Sequence, residues 1–228
     1  AFGYCFGLTS VTISNPVTRI ENGAFYSCTG LTSVTIPDSV SYIGDNAFYL
    51  VKNIVYNGMA MNSPWGALNV NGYIEGDFIY NNALKTILTA YIGTDTSVTI
   101  SDSVIIIGDY AFAYRNDLAS VTISNSVGSI ERYAFWNCSG LTSINIPDFV
   151  ATVGERAFLG CSGLTSVSFG NYVYTIEDNA FSYCTSLTSV NLGNSIVDIR
   201  DNAFSNCTSL TAITIPSSVA YIGPFAFS

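Results

Sequence analysis

The sequence predicts a β-rich solenoid, and three observations predict it. The dipeptide Ala-Phe returns at Phe2, Phe25, Phe48, Phe112, Phe135, Phe158, Phe181, Phe204 and Phe227, every 23 residues except for one gap of 64. Each repeat carries apolar residues at the same few places. Between them, short segments alternate apolar and polar. A fixed period in this range means stacked coils. One coil cannot bury its own apolar side, so neighbours must stack until their side chains align into a continuous core. The prediction is a single solenoid over 1–228 with about nine coils and an irregular insertion at about 57–94.

Taken in order from Ala-Phe, a Cys stands three residues on, at Cys5, Cys28, Cys138, Cys161, Cys184 and Cys207. A Leu follows three later, at Leu8, Leu31, Leu118, Leu141, Leu164, Leu187 and Leu210. It opens a segment such as Leu31-Thr32-Ser33-Val34-Thr35-Ile36, whose second half alternates as a strand with one buried face should. These segments predict one parallel sheet. A turn follows, marked by Pro37-Asp38, Asp102, Asn125, Pro147-Asp148, Asn171 or Asn194, residues that favour turns by ring constraint or side-chain bonding. A second apolar pair comes next, as in Val40/Ile43, Val127/Ile130 and Ile196/Ile199, and predicts a shorter extended run opposite the first. The approach to the next Ala-Phe predicts a short helical turn, with Asp45, Asp109, Glu155, Asp178 and Asp201 near its N-terminus as caps.

The unit LTSVTIP-x-SV-x-x-IG-x-x-AF-x-x-C, as in Leu31 to Pro37, Ser39-Val40, Ile43-Gly44 and Ala47-Phe48, resembles the BspA-like, treponemal-type leucine-rich repeats. The resemblance covers nearly the whole chain outside the insertion. It implies a right-handed leucine-rich-repeat coil with a parallel sheet. It also implies a surface protein of the adhesion or host-binding kind, a functional carry-over that is analogy at the level of fold.

Between Phe48 and Phe112 the pattern breaks. Val51 takes the Cys place, and residues 51–56 stand in for the usual strand segment. Residues 73–80 and 86–92 read as two strands joined at Asn81-Asn82, a β-hairpin projecting from the solenoid. Ile105 and Ile106 occupy places that should face outward, and the insertion is the nearest cover for them. Trp65, Tyr73, Tyr80 and Tyr91 supply aromatics there. They read either as a binding surface for a sugar or protein, or as the insertion's own small core, which a marginal hairpin needs.

Composition narrows the function classes. The chain has 16 acids, 7 bases and no His, for a net charge of −9. A nucleic-acid partner would need a basic stripe, and an anionic membrane surface would repel this balance. No apolar run approaches the ~20 residues of a membrane span. Without His the commonest general base and zinc ligand are missing. The cysteines share one repeat position, so they predict an inward column at the ~4.8 Å strand spacing, wider than a disulfide's Cβ separation. They read as free structural thiols. A ladder of single carboxylates does not converge as calcium requires. No catalytic residues, cofactor or metal ligands are predicted.

The strand surface is rich in Ser, Thr and Asn, with Thr122, Asn145, Ser168 and Asn191 as its binding candidates, yet it lacks the aromatic anchors of a hot spot. The leading expectation is a non-enzymatic, extracellular or surface-displayed module that binds a protein or glycan partner. The alternative is a structural subunit stacking end to end into a filament or stalk. Its motive is that AFGYCFGL and IGPFAFS stay in repeat register without the polar caps solenoids need. Either the protein continues beyond them or they stack on neighbouring chains.

Overall fold

The computed structural model describes residues 2–61 and 65–228. They form two compact units, Ala1–Ala83 with Thr89–Ile92, and Leu84–Leu88 with Gly93–Ser228.

In the first unit, β1 (Arg19–Ile20) and β3 (Tyr42–Ile43) pair in parallel one repeat apart. β2 (Val34–Thr35) pairs in parallel with β4 (Ile54–Val55), with Val34 opposite Ile54. That step of 20 residues shows where the coil has shortened. β5 (Tyr73–Glu75) and β6 (Phe78–Tyr80) form an antiparallel hairpin about Gly76, whose φ is +55°. β7 (Ile87–Tyr91) is divided, with Ile87 and Leu88 in the second unit and its last three residues in the first.

In the second unit, the strand segments give β8 (Ser97–Thr99), β10 (Ser120–Thr122), β12 (Ser143–Ile146), β14 (Ser166–Phe169) and β16 (Ser189–Asn191). The second apolar run gives β9 (Ile106–Ile107), β11 (Ser129–Ile130), β13 (Thr152–Val153), β15 (Thr175–Ile176), β17 (Asp198–Ile199) and β18 (Tyr221–Ile222). All pairings are parallel and in repeat register, for example Ile130 opposite Val153 and Val153 opposite Ile176.

Two sheet expectations need correction. The strand segments do not form one sheet: they pair as β2–β4, β8–β10 and β12–β14–β16. The two-residue runs make the longer ladder, in which β9, β11, β13, β15, β17 and β18 follow one another without a break. Each run but the last, β18, is pinned on both sides, so two residues per coil suffice for a continuous sheet.

The expected short helical turns are absent, and no helix forms among the described residues. Left-handed residues prevent it. Two stand in each coil, four apart, as in Tyr133 and Asn137, Asn179 and Tyr183, and Asn202 and Asn206, with φ between 54° and 60°. Their alternation with right-handed residues turns successive amides in different directions. The amides of Tyr133, Phe135 and Asn137 donate to Glu155, Ala157 and Leu159 in the next coil, at 3.1, 2.7 and 2.8 Å. Those of Ala134, Trp136 and Cys138 donate within their own coil. The helix's ladder is traded for a coil-to-coil one, and every amide is still used, as burial requires.

The acids therefore do not cap helices. Asp178 Oδ1 accepts the backbone N–H of Asp201, 3.2 Å away and one repeat on. Asp109 accepts that of Arg132 in the same way. Glu155 instead pairs with Arg132 at 3.3 Å and with Arg156.

The core is a set of columns. Phe112, Phe135, Phe158, Phe181, Phe204 and Phe227 stack face to face with centroids 4.8 to 5.4 Å apart. Phe2, Phe25 and Phe48 do the same in the first unit at 5.5 and 5.3 Å. All six cysteines are free; five are buried, and Cys5 is exposed rather than inward. The buried thiols are more than apolar filler. Each donates to the carbonyl of the Phe 26 residues earlier, as Cys161 does to Phe135 at 3.1 Å. Burial holds the Cys161 and Cys184 thiols well above their usual pKa and pushes Cys207 up to about 11.

The insertion also departs from expectation. Its first part is a degenerate coil. Phe48 donates to the Trp65 carbonyl at 3.1 Å, Ile54 to that of Asn69 at 3.0 Å, and Ile54 bridges Val70 in parallel. The hairpin turn lies at Gly76-Asp77, not at Asn81-Asn82. Nor is 86–92 simply an arm of a projecting hairpin, because Ile87 and Leu88 pair in parallel with Ile106 and Ile107, taking the place of a coil's second run. Ile106 is thus held edge-on in a ladder, while Ile105 remains 47% exposed and is not covered.

Candidate binding groove

The second unit carries a groove of about 430 Å³ where β12, β14 and β16 run into their turns. Strand alternation builds it. Ile144, Ile146, Val167 and Phe169 point into the core, so the residues between them point to solvent. Asn145 stands in register with Ser168, and Ser168 with Asn191, on the three adjacent strands. The turns add Asn125, Asp148, Asn171 and Asn194 to the rim. Seven of the twelve lining residues are thus Asn, Asp or Ser. The apolar lining residues Ile146 and Phe169 are buried, which closes the floor.

Only part of this polar capacity is spent internally. Ser168 Oγ donates to Asn145 Oδ1 at 2.6 Å. Asn171 donates its backbone N–H and its Nδ2 to Asp148 Oδ1, at 2.9 and 3.1 Å. Asn191 Oδ1 accepts from the Gly193 amide at 3.3 Å. Among the described residues, the Nδ2 groups of Asn145 and Asn191 and the whole side-chain amides of Asn125 and Asn194 have no protein partner. The amides of Asn125 and Asn194 can each give and take a hydrogen bond, while Asn145 and Asn191 have donors to give. The one charged lining residue is Asp148.

Beside the rim stands an aromatic pair. Phe149 follows Asp148 and Tyr172 follows Asn171 in the chain. Their rings stack 5.8 Å apart and within 15° of parallel. They are 63% and 61% exposed.

Of the residues singled out from sequence, Asn145, Ser168 and Asn191 come together here. Thr122 does not line the groove; it is exposed on β10 opposite Thr99 of β8. Trp65, Tyr80 and Tyr91 are core residues, no more than 4% exposed. Trp65 donates its indole N–H to the Met61 carbonyl at 2.6 Å and meets Tyr56 edge-on. Tyr91 packs on Phe78 at 5.2 Å, so these aromatics form the insertion's own core. Tyr73 alone of the four is exposed, at 39%.

Sequence reasoning missed Phe149 and Tyr172. The signal was present, since other repeats carry Ser39, Ser103, Ser126 and Ser195 at that place. It also missed a cluster in which Tyr133 stacks on Tyr110 at 4.9 Å and packs on Trp136 at 5.0 Å. The guanidinium of Arg132 lies 5.0 Å from the Tyr133 ring. Its charges are already paired with Glu155, so it reads as a brace between coils rather than an open site.

Residues 1–60, 90–196 and 153–228 match the BspA type leucine rich repeat region, in six copies. No curated protein matches the chain. Among solved structures it is similar to a leucine-rich repeat protein from Eubacterium ventriosum ATCC 27560, with 25% identity, a TM-score of 0.62, and coverage of 92% of this chain and 79% of that one. The T. pallidum Leucine Rich Repeat protein is 21% identical, covering 85% of this chain and 72% of that one at a TM-score of 0.45. A leucine rich cell surface protein from Faecalibacterium prausnitzii A2-165 is 21% identical, covering 97% and 77% at a TM-score of 0.35. The matched repeats span more than half of the sequence, and this chain belongs to the BspA-type leucine-rich repeat family.

Proposed function

We propose that this chain is a non-enzymatic recognition module, surface-displayed or secreted, that binds a protein or glycan partner through the groove beside β12, β14 and β16. The observation that supports this most is the row of side-chain amides with unspent hydrogen-bonding capacity on a strand platform. Rigid strands hold such groups in place at little entropic cost on binding, which favours recognition. The lining offers one carboxylate and no paired acid and base, and the chain contains no His, so the same groove is poorly suited to proton-transfer chemistry. Membership in a repeat family whose coils display side chains in rows supports the same reading.

The test is saturable binding of the fluorescently labelled chain to a panel of extracellular-matrix proteins and glycans, with molar mass followed by light scattering. Binding should saturate at constant mass and weaken when Asn145→Thr and Asn191→Thr restore the commoner repeat residue. No binding across the panel, or binding that appears only as the chain self-associates, would sink the proposal.

A further inference from the structure

We infer that the groove takes a linear, neutral glycan, with hydroxyls on the asparagine amides and one sugar face on the Phe149–Tyr172 stack. The inference rests on the recognition reading and names its ligand class. Four features of the second unit carry it.

The first is hydrogen-bond inventory. A sugar hydroxyl donates and accepts at once, and neighbouring hydroxyls present both functions side by side. A side-chain amide matches that pattern because its N–H and C=O groups are also adjacent. Asn125 and Asn194 keep both functions free, and Asn145 and Asn191 keep their Nδ2 donors.

The second is charge. The groove has no cation among its lining residues, and its one carboxylate is Asp148. A sulfated, phosphorylated or uronic-acid chain would meet repulsion without compensation. A neutral chain meets none.

The third is the floor. Ile146 and Phe169 are closed over and buried, so no apolar pocket opens to receive an anchoring side chain of a protein partner. The apolar contact offered lies beside the rim instead. There the near-parallel rings of Phe149 and Tyr172 make an exposed patch. The C–H face of a pyranose ring is apolar and carries partial positive charge, which suits the negative π face of an aromatic ring.

The fourth is repetition. Asn145, Ser168 and Asn191 advance one strand spacing per coil, ~4.8 Å. That step is comparable to the length of one sugar unit, so a polymer can meet an equivalent group at each coil. Weak contacts then add along the chain.

The experiment is calorimetric titration of the whole chain with cellohexaose, maltohexaose, mannohexaose and chitohexaose, with a heparin-derived hexasaccharide as the charged comparison. Two variants revert the groove toward the repeat: Asn145→Thr with Asn191→Thr, and Phe149→Ser with Tyr172→Ser. Each introduces residues the fold already accepts at equivalent places, as at Thr122 and Ser126. A melting curve for each confirms the fold. At least one neutral hexasaccharide should bind, and each double variant should weaken it by about tenfold or more, the loss expected for a few hydrogen bonds or one stacking contact. Ser33→Ala, in the first unit, should leave binding unchanged. The inference is overturned if none of the four neutral sugars binds at millimolar concentration, if the heparin fragment binds in their place, or if both variants bind as well as the parent chain. Saturable binding to a matrix protein, lost in Asn145→Thr with Asn191→Thr while all sugars fail, would overturn the glycan ligand and leave the recognition reading standing.

Discussion

The thiol of Cys138 donates a hydrogen bond to the carbonyl oxygen of Phe112, 3.0 Å away and 26 residues earlier in the chain. The same bond recurs from Cys161 to Phe135, Cys184 to Phe158 and Cys207 to Phe181. It joins the two most regular columns of the core. The thiol is a second donor there, since the Phe112 carbonyl also accepts the Arg115 amide at 3.1 Å and the Phe135 carbonyl the Cys138 amide at 3.2 Å. A Cys at this place uses the carbonyl's remaining lone pair, which an apolar residue of similar size would leave unused.

This relationship predicts an order of stabilities. Cys161→Ala removes both volume and donor and should cost about 1–3 kcal/mol. Cys161→Ser keeps a donor and should cost less than Cys161→Val, which keeps only apolar bulk. Urea denaturation of the three variants checks the order. If Val is tolerated better than Ser, the thiol is only filler.

Thiol accessibility and pH dependence follow from the same column. A thiol reagent should modify one cysteine, Cys5, in the folded protein, and five more only after denaturation. The buried thiols of Cys161, Cys184 and Cys207 keep their protons in the folded state to higher pH than in the unfolded state, where the ordinary value is 9.0. From that value upward the unfolded chain loses protons first, so the stability contribution is complete below pH 9.0 and declines toward the folded value of about 11 for Cys207. Melting temperatures should therefore fall between these two pH values, and less steeply in Cys207→Ala. A flat profile would contradict the burial.

Left-handed residues make a separate prediction about local strain. Phe225 has φ +57° and is 71% exposed, an unfavourable place for a bulky L-residue. Phe225→Asn should raise stability by about 0.5–1 kcal/mol, while Asn202→Ala, at φ +56°, should lower it by about 1 kcal/mol. Equal stabilities by thermal denaturation would mean the coil relaxes around the change.

The Phe column is the most sensitive part of the core. Phe158 is fully buried and stacks at 4.9 Å on both Phe135 and Phe181. Phe158→Ala should cost about 3–5 kcal/mol in urea denaturation, and Phe158→Leu distinctly less. A cost below 1 kcal/mol would show that the coils close over the gap.

Gly170 links fold to groove. A Cβ there would lie 2.5 Å from the backbone of Asp148 in the preceding coil. Gly170→Ala must push two coils apart, at about 1–3 kcal/mol, and should weaken any ligand of the groove, since both residues line it. Unchanged melting and binding would show that the turn yields freely.

Much of the fold was legible because repetition multiplies a weak signal. One Val-x-x-Ile proves little, but the same spacing in coil after coil marks the run that becomes β11, β13 and β15. The helical turn was misread because Asp-Asn-Ala-Phe has helix-compatible composition. Propensity does not show that Tyr133 or Asn179 must be left-handed so that alternate amides reach the next coil. The insertion was misread because its coil at 65–71 steps by 16 residues from Ile54 to Val70, outside any periodic template. In the groove, Asn145, Ser168 and Asn191 were readable as outward strand positions. Phe149 and Tyr172 were readable only as departures from a Ser column, and their stacking was not readable at all.

By itself the sequence determined the repeat, the columns that fill the core and the family, because period and side-chain alternation are one-dimensional facts. Tertiary structure alone decided which polar atoms remain unspent and which exposed rings touch. A hydrogen bond or a stacked pair between residues 23 apart depends on how two coils are set against each other, and that geometry exists only once the coils have packed.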